Sequence, residues 1–124
     1  MQFIMIFLGG GIGSVLRYLL KIFCDKNFGE FLPYGTFAAN ILGSLFLGFV
    51  VALAFKRTDL LDTNTKLFLT VGIAGGFTTF STYSLETVNL IKQGYLGVGI
   101  FYSLISLLLG VVAIYLGIYL AKYI

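Results

Sequence analysis

Four apolar stretches, each long enough to cross a bilayer as a helix, make up most of this chain of 124 residues. They lie at about residues 3–23, 34–55, 67–91 and 95–121. A transmembrane helix needs about 20 apolar residues. Only 10% of the residues are charged, whereas a typical soluble domain has about 25%. The pattern predicts an all-α integral membrane protein, with one four-helix domain over residues 1–124 that is surrounded by a lipid bilayer.

The composition also excludes several classes of function. The chain has no histidine and one cysteine, so histidine-based metal sites, histidine general bases and internal disulfides are closed to it. No nucleophile has a recognisable base beside it, and we therefore expect no enzymatic activity. The formal net charge of +3 comes from basic residues that lie mainly near the ends of the apolar stretches, where lipid headgroups are. We expect no nucleic-acid partner.

The basic residues give almost no signal for orientation in the membrane. If the N-terminus, the second loop and the C-terminus share one side, each side has four basic residues. One side contains Lys56, Arg57, Lys66 and Lys122, and the other contains Arg17, Lys21, Lys26 and Lys92. The positive-inside rule therefore favours neither insertion. Either the order of insertion fixes one orientation, or the chain inserts both ways and two opposed copies could pair.

Polar residues inside the spans are costly in lipid and therefore mark candidate functional positions. In the second span Thr36, Asn40 and Ser44 recur at intervals of four, which places them on one helical face. The Asn40 amide offers two donors and an acceptor. It either bonds to a neighbouring helix or lines a path for a polar solute.

The third span contains the densest polar segment, GGFTTFSTYS at residues 75–84. Adjacent glycines weaken a helix, and Ser and Thr hydroxyls can bond back to the preceding turn and bend it. We expect a helix break in the middle of the membrane, where irregular backbone is tolerated only if it is buried in protein or lines a wet cavity. Freed carbonyls suit an alkali cation, and freed amide hydrogens and hydroxyls suit an anion. A kink that only shapes packing is the alternative. Phe80 and Tyr83 share one face, and the positive edges of their rings can contact an anion.

Three sequence blocks occur in order along the chain. They are GGGIGS at 9–14 followed by Arg17 and Tyr18, GTFAAN at 35–40 followed by Gly43 and Ser44, and GGFTTFST at 75–82 followed by Glu86. On these blocks the chain resembles the Fluc (CrcB) family of fluoride channels over almost its whole length. The resemblance implies a passive fluoride-selective channel that exports fluoride across a bacterial inner membrane and lowers its cytoplasmic concentration. It also implies an antiparallel, dual-topology homodimer with two pores.

The resemblance assigns roles to individual residues. The implied fluoride pathway contains Asn40, Thr79, Phe80, Ser81, Thr82 and Tyr83. A hydroxyl of the fourth span belongs to it as well: Ser103 is included, with Tyr102 and Ser106 as open alternatives. Tyr83 stands where the family has a second pore phenylalanine, and this departure adds a hydroxyl beside the anion path.

The resemblance further implies a structural sodium ion (Na+) at the dimer centre, held by the backbone carbonyls of Gly75 and Thr78. Arg17 and Glu86 are candidates for a vestibule, although each could be an ordinary interfacial charge. The main rival function is a small dual-topology cation or multidrug exporter, which would need a membrane-embedded carboxylate for proton exchange. Only the off-centre Glu86 could supply it. A non-transporting assembly subunit, whose polar residues serve packing alone, is the second rival.

Overall fold

The computed structural model describes residues 1–57, 59 and 61–124, and helices make up nearly all of this part of the chain. The elements are α1 (Gln2–Phe28), α2 (Tyr34–Lys56), α3 (Thr63–Leu67), a π-helical segment (Phe68–Ala74), α4 (Gly75–Phe77), α5 (Phe80–Lys92), α6 (Leu96–Leu120) and a final 3-10 turn (Ala121–Tyr123). The all-α prediction is confirmed for these residues.

Three helices are long and apolar enough to span a membrane: Gln2–Phe28, Tyr34–Lys56 and Leu96–Tyr123. The stretch predicted as the third span is divided among α3, the π-helical segment, α4 and α5. No piece of it is a continuous span by itself, because the backbone is extended between α4 and α5. The architecture is that of a multi-pass membrane protein with three continuous spans and one divided stretch.

The first helix runs five residues beyond its predicted end near residue 23 and stops at Phe28. Charged residues end the apolar stretch there, but they do not end the helix: Lys21 and Asp25 are both helical and form an ion pair one turn apart. Gly29 then ends it. The Gly29 N–H donates to the Asp25 carbonyl at 3.0 Å, and its φ of 83° lies in the left-handed region that favours glycine.

The third stretch begins at a capped helix end. The Asp62 carboxylate accepts a hydrogen bond from the Thr65 N–H at 3.1 Å, which makes Asp62 the N-cap of α3. Hydrogen bonds from Thr65 lower the pKa of this exposed carboxyl, because they stabilise its ionised form.

Glycine allows α1 to pack directly against the divided stretch. A methyl group on Gly9 would lie 2.9 Å from Gly72 Cα, and one on Gly76 would lie 3.0 Å from Gly10 Cα. Real side chains do not reach such distances from backbone atoms, so the two backbones touch here. Small residues allow the same close contact between many membrane helices.

Most large apolar side chains are on the outside of the fold. Phe3 is 86% exposed and Phe7 is 79% exposed, as expected for side chains that face lipid. The main buried cluster is small and consists of Tyr83, Leu90 and Tyr102. It joins α5 to α6 directly below the break in the third stretch.

Candidate functional site

The break in the third stretch lies at Thr78 and Thr79. Thr78 has φ −85° and ψ 157°, and Thr79 has φ −151° and ψ 124°, so both residues are extended. Gly75 and Gly76 remain helical in α4. The Thr79 hydroxyl accepts a hydrogen bond from the Thr82 N–H at 3.2 Å and is thus the N-cap of α5.

The side chain of Asn40 holds the break from α2. Its Nδ2 donates to the Thr79 carbonyl at 3.0 Å, and its Oδ1 accepts from the Thr79 N–H at 2.8 Å. One amide thus satisfies both backbone groups of an extended residue. One Nδ2 hydrogen of Asn40 is not needed for this pairing.

The break deprives the carbonyls of residues 75–78 of their usual helical partners, and the Gly76 carbonyl accepts from Arg17 instead. In a continuous helix the Thr79 N–H would bond to the Gly75 carbonyl, but here it donates to Asn40. Likewise the Thr82 N–H, which would bond to the Thr78 carbonyl, donates to the Thr79 hydroxyl. The carbonyls of Gly75 and Thr78 are therefore available to another ligand.

A groove of about 460 Å³ runs along the outside of the break. Its polar or aromatic lining includes Asn40, Ser44, Thr78, Thr79, Phe80, Tyr83 and Ser106, and Gly75 lies beside them. The structure thus brings together on one surface four of the residues predicted for the pathway and both residues predicted for the cation. Ser81, Thr82 and Ser103 are not in this lining.

The two aromatic residues of the groove are in different environments. Phe80 is 75% exposed, whereas Tyr83 is 7% exposed. Their ring centroids are 5.6 Å apart, and the Tyr83 ring is equally close to that of Tyr102. The Tyr83 hydroxyl donates to the Ser103 carbonyl at 3.1 Å and also contacts the Ser103 hydroxyl. The hydroxyl that distinguishes Tyr83 from phenylalanine is therefore directed at α6.

The three candidate hydroxyls of α6 differ in what they contact. Ser103 bonds to Tyr83, and the Tyr102 hydroxyl donates to Glu86 at 3.1 Å. Ser106 is buried, lines the groove, and has no hydrogen-bond partner among the residues that the structure describes. Its hydroxyl oxygen is shielded from solvent in the single chain.

A second polar cavity, of about 210 Å³, is lined by Ser14, Arg17, Tyr18, Lys21, Thr36 and Thr82. The Arg17 Nε donates to the Gly76 carbonyl at 3.1 Å, at the end of α4. This places a cation at the negative end of a helix, which stabilises both. Thr82 links the cavity to the groove, because its hydroxyl accepts a hydrogen bond from the Thr79 hydroxyl at 3.2 Å.

Glu86 joins three helices. Its Oε1 accepts from the Thr36 hydroxyl at 2.8 Å and its Oε2 accepts from Tyr102. It lines a third cavity, of about 290 Å³, together with Lys21, Asp25 and Thr36. Arg17 and Glu86 thus have separate partners, and each lines a different polar cavity.

Comparison with known proteins identifies the family of this chain. Residues 4–118 match the family described as CrcB-like protein, Camphor Resistance (CrcB). The chain belongs to this family. A relative from Bacteroides fragilis is 46% identical over 98% of this chain and 96% of its own length. Relatives from Clostridium perfringens (52% identical, 75% and 72% covered) and Agrobacterium fabrum (42%, 92% and 90% covered) are also similar. All three bear the name fluoride-specific ion channel FluC.

Membership of the CrcB family confirms the resemblance that the three sequence blocks indicated. The names of the relatives are those of ion channels and not of enzymes. Within the described residues of this CrcB-family chain, no group of three or more His, Cys, Asp or Glu side chains could hold a metal ion. A cation bound here would therefore depend on backbone and hydroxyl oxygens.

Ser81 and Ser103, which were predicted for the pathway, lie outside the lining of the groove. The Ser103 hydroxyl contacts the Tyr83 hydroxyl, while Ser106 lines the groove. Ser81 is exposed, and its hydroxyl lies 3.4 Å from that of Thr79. The sequence pattern could not choose between Ser103 and Ser106, because the choice depends on how α6 is rotated against α5.

Proposed function

We propose that this chain is a fluoride-selective channel, through which fluoride leaves a bacterial cell passively across the inner membrane. The observation that carries the proposal is the groove at the helix break. It combines hydrogen-bond donors with aromatic rings, and no Lys or Arg is in its lining. The relatives named fluoride-specific ion channels support the same function.

The groove offers what a small, strongly hydrated anion needs in place of water. Two donors of the lining are the spare Nδ2 hydrogen of Asn40 and the hydroxyl of Ser106, which has no hydrogen-bond partner within the described residues. The ring edges of Phe80 and Tyr83 carry partial positive charge. Selectivity for fluoride over the larger chloride would arise from the width of the path and from the groups that contact the ion. A positive side chain is not required, and its absence from the lining avoids trapping the ion.

The hydroxyls of Thr79 and Thr82 connect the groove to the cavity beside Arg17. We assign this cavity as the vestibule, because Arg17 and Lys21 make it attractive to anions. Glu86 lies in the neighbouring cavity, where Thr36 and Tyr102 hold its carboxylate. The exposed Ser81 extends the row of hydroxyls, and Ser103 acts on the path through Tyr83.

We also propose that two copies pair antiparallel over the groove. Phe80 is 75% exposed in the single chain, and four basic residues on each side permit both insertions. Two copies would bring four freed carbonyls together, two from Gly75 and two from Thr78. Hard carbonyl oxygens suit Na+. When bound there, Na+ would supply positive charge beside the anion path, in the middle of the membrane.

An assembly subunit without transport activity would use its polar residues for packing. Ser106 does not fit that function, because its buried hydroxyl has no partner within the described part of the chain. Leaving a buried donor unsatisfied costs about 1–3 kcal/mol. Such a cost is understandable if the hydroxyl binds a permeating ion.

The test is fluoride efflux from liposomes that contain the purified Phe80→Ile variant. We expect the initial rate to fall about tenfold, because an aromatic contact worth about 1.5 kcal/mol is lost from the narrow part of the path. Phe7→Ile is the matched control, since Phe7 is 79% exposed on α1 and lines none of the three cavities. Equal rates for the two variants would contradict the proposed pathway.

A further inference from the structure

An ion pair lies where two polar cavities meet. Lys21 lines both the vestibule beside Arg17 and the cavity beside Glu86. One turn later on α1, Asp25 binds the Lys21 ammonium and lines the second cavity only. The Lys21 side chain is 47% exposed and that of Asp25 is 22% exposed. Lys21 therefore borders both cavities, and Asp25 partly neutralises its charge.

Stability does not explain this pair. Exposed ion pairs contribute little to folding. The order is also the weaker one, because an acid placed four residues after a base lies closer to the negative end of the helix. Asp25 is in the last turns of α1, which ends at Phe28. Its position is unfavourable for the helix, but it is well placed to act on Lys21.

Lys21 is one of the two cations that line the vestibule, and it is the one that an acid partly neutralises. Arg17 is the other cation that lines the vestibule, and its Nε is already bonded to the Gly76 carbonyl. Glu30 and Glu86 add negative charge to the neighbouring cavity. The field that an arriving anion meets thus depends on how far Asp25 neutralises Lys21.

We propose that Asp25 limits the rate at which anions reach the pore, by neutralising the Lys21 ammonium at the vestibule. This inference rests on the proposed channel function and extends it to a pair of residues outside the groove. The pair sets the local concentration of fluoride, and it does not bind the ion in the narrow part of the path. Removal of the acid and removal of the base must then have opposite effects.

The experiment measures single-channel current in planar bilayers for Asp25→Asn, Lys21→Gln and the double variant, at fluoride concentrations far below saturation. A unit charge on the order of 7 Å from an anion in water changes the local anion concentration about twofold at ~10 mM salt and about 1.1-fold at ~1 M salt. We therefore expect Asp25→Asn to raise the current by factors of this order. Lys21→Gln lowers it by a similar factor, and the double variant returns close to wild type.

Asp59→Asn is the matched control. It removes the acid of the other ion pair, Arg57–Asp59, whose nitrogen and oxygen are 3.6 Å apart and which lines neither cavity. Its current should equal that of wild type at both salt concentrations. If Asp25→Asn and Lys21→Gln both lower the current, or change it equally in low and high salt, the pair has a structural role and the inference is wrong. A wild-type protein without fluoride current would overturn the channel function itself.

Discussion

Replacement of Asn40 by alanine tests the physical basis of the break. Asn40 satisfies both backbone groups of Thr79, with hydrogen bonds of 3.0 and 2.8 Å. Each bond contributes about 0.5–1.5 kcal/mol, and each buried group left without a partner costs about 1–3 kcal/mol. With partial relaxation of Thr79 into solvent, we expect the free energy of unfolding to fall by about 2–4 kcal/mol.

The chain provides its own reporter for this measurement. Cys24 is the single cysteine and is 5% exposed. A thiol-reactive dye that fluoresces on coupling to Cys24 therefore follows thermal unfolding in detergent. For a chain of this size, the expected loss lowers the midpoint by roughly 6–15 °C.

Ser44→Ala is the matched control for Asn40→Ala. Ser44 lies one turn further along α2 in the same groove, and it makes no hydrogen bond within the described part of the chain. The unfolding midpoint of Ser44→Ala should change by less than about 2 °C, which corresponds to a change of at most about 0.5 kcal/mol in the free energy of unfolding. If Asn40→Ala unfolds at the same temperature as Ser44→Ala, the Asn40 amide does not hold the break and our explanation of it is refuted.

Two further predictions follow from the packing and from the groove. Gly76→Ala should lower the free energy of unfolding by about 1–3 kcal/mol, because its methyl would lie 3.0 Å from Gly10 Cα. Gly97→Ala has open space around the added methyl and should be neutral or slightly stabilising. Equal unfolding midpoints of the two variants in the Cys24 dye assay would contradict the close contact. Ser106→Ala should reduce fluoride efflux about tenfold while the protein stays folded, because a donor worth about 1.5 kcal/mol is lost. Ser103→Ala should reduce fluoride efflux less than about threefold, since the Tyr83 hydroxyl keeps the Ser103 backbone carbonyl as its acceptor. A larger loss of efflux in Ser103→Ala than in Ser106→Ala would show that Ser103 is the pore hydroxyl.

The sequence alone predicted much of the fold, because apolar length is a strong signal. The continuous helices α1, α2 and α6 follow from stretches that only a membrane can accommodate. Local chemistry was less informative at helix ends. The apolar stretch of α1 ends near residue 23, but the helix continues to Phe28 and ends at Gly29.

The position of the break shows where local reasoning fails. The polar segment at residues 75–84 predicted a break without fixing its residues; Gly75 and Gly76 are helical, and the extended residues are Thr78 and Thr79. A side chain from another helix decides this, since Asn40 replaces the helical partners of Thr79. No window of sequence around residue 78 contains that information.

The same limit applies to the groove. The polar faces of α2 and of the third stretch are visible as spacings, and the structure places Asn40, Phe80 and Tyr83 on one surface. The choice between Ser103 and Ser106 depends on the rotation of α6 against α5, which the buried cluster of Tyr83, Leu90 and Tyr102 sets. Tertiary packing therefore determined the part of the site that the sequence left open.

The most direct test of the central claim compares two anions in the wild-type protein. Liposomes that contain the purified chain are loaded with fluoride or with chloride, and efflux is started by a potassium ionophore. The groove at the break predicts fast loss of fluoride and little loss of chloride. Equal efflux of both anions, or no fluoride efflux from protein that remains folded, would contradict the account.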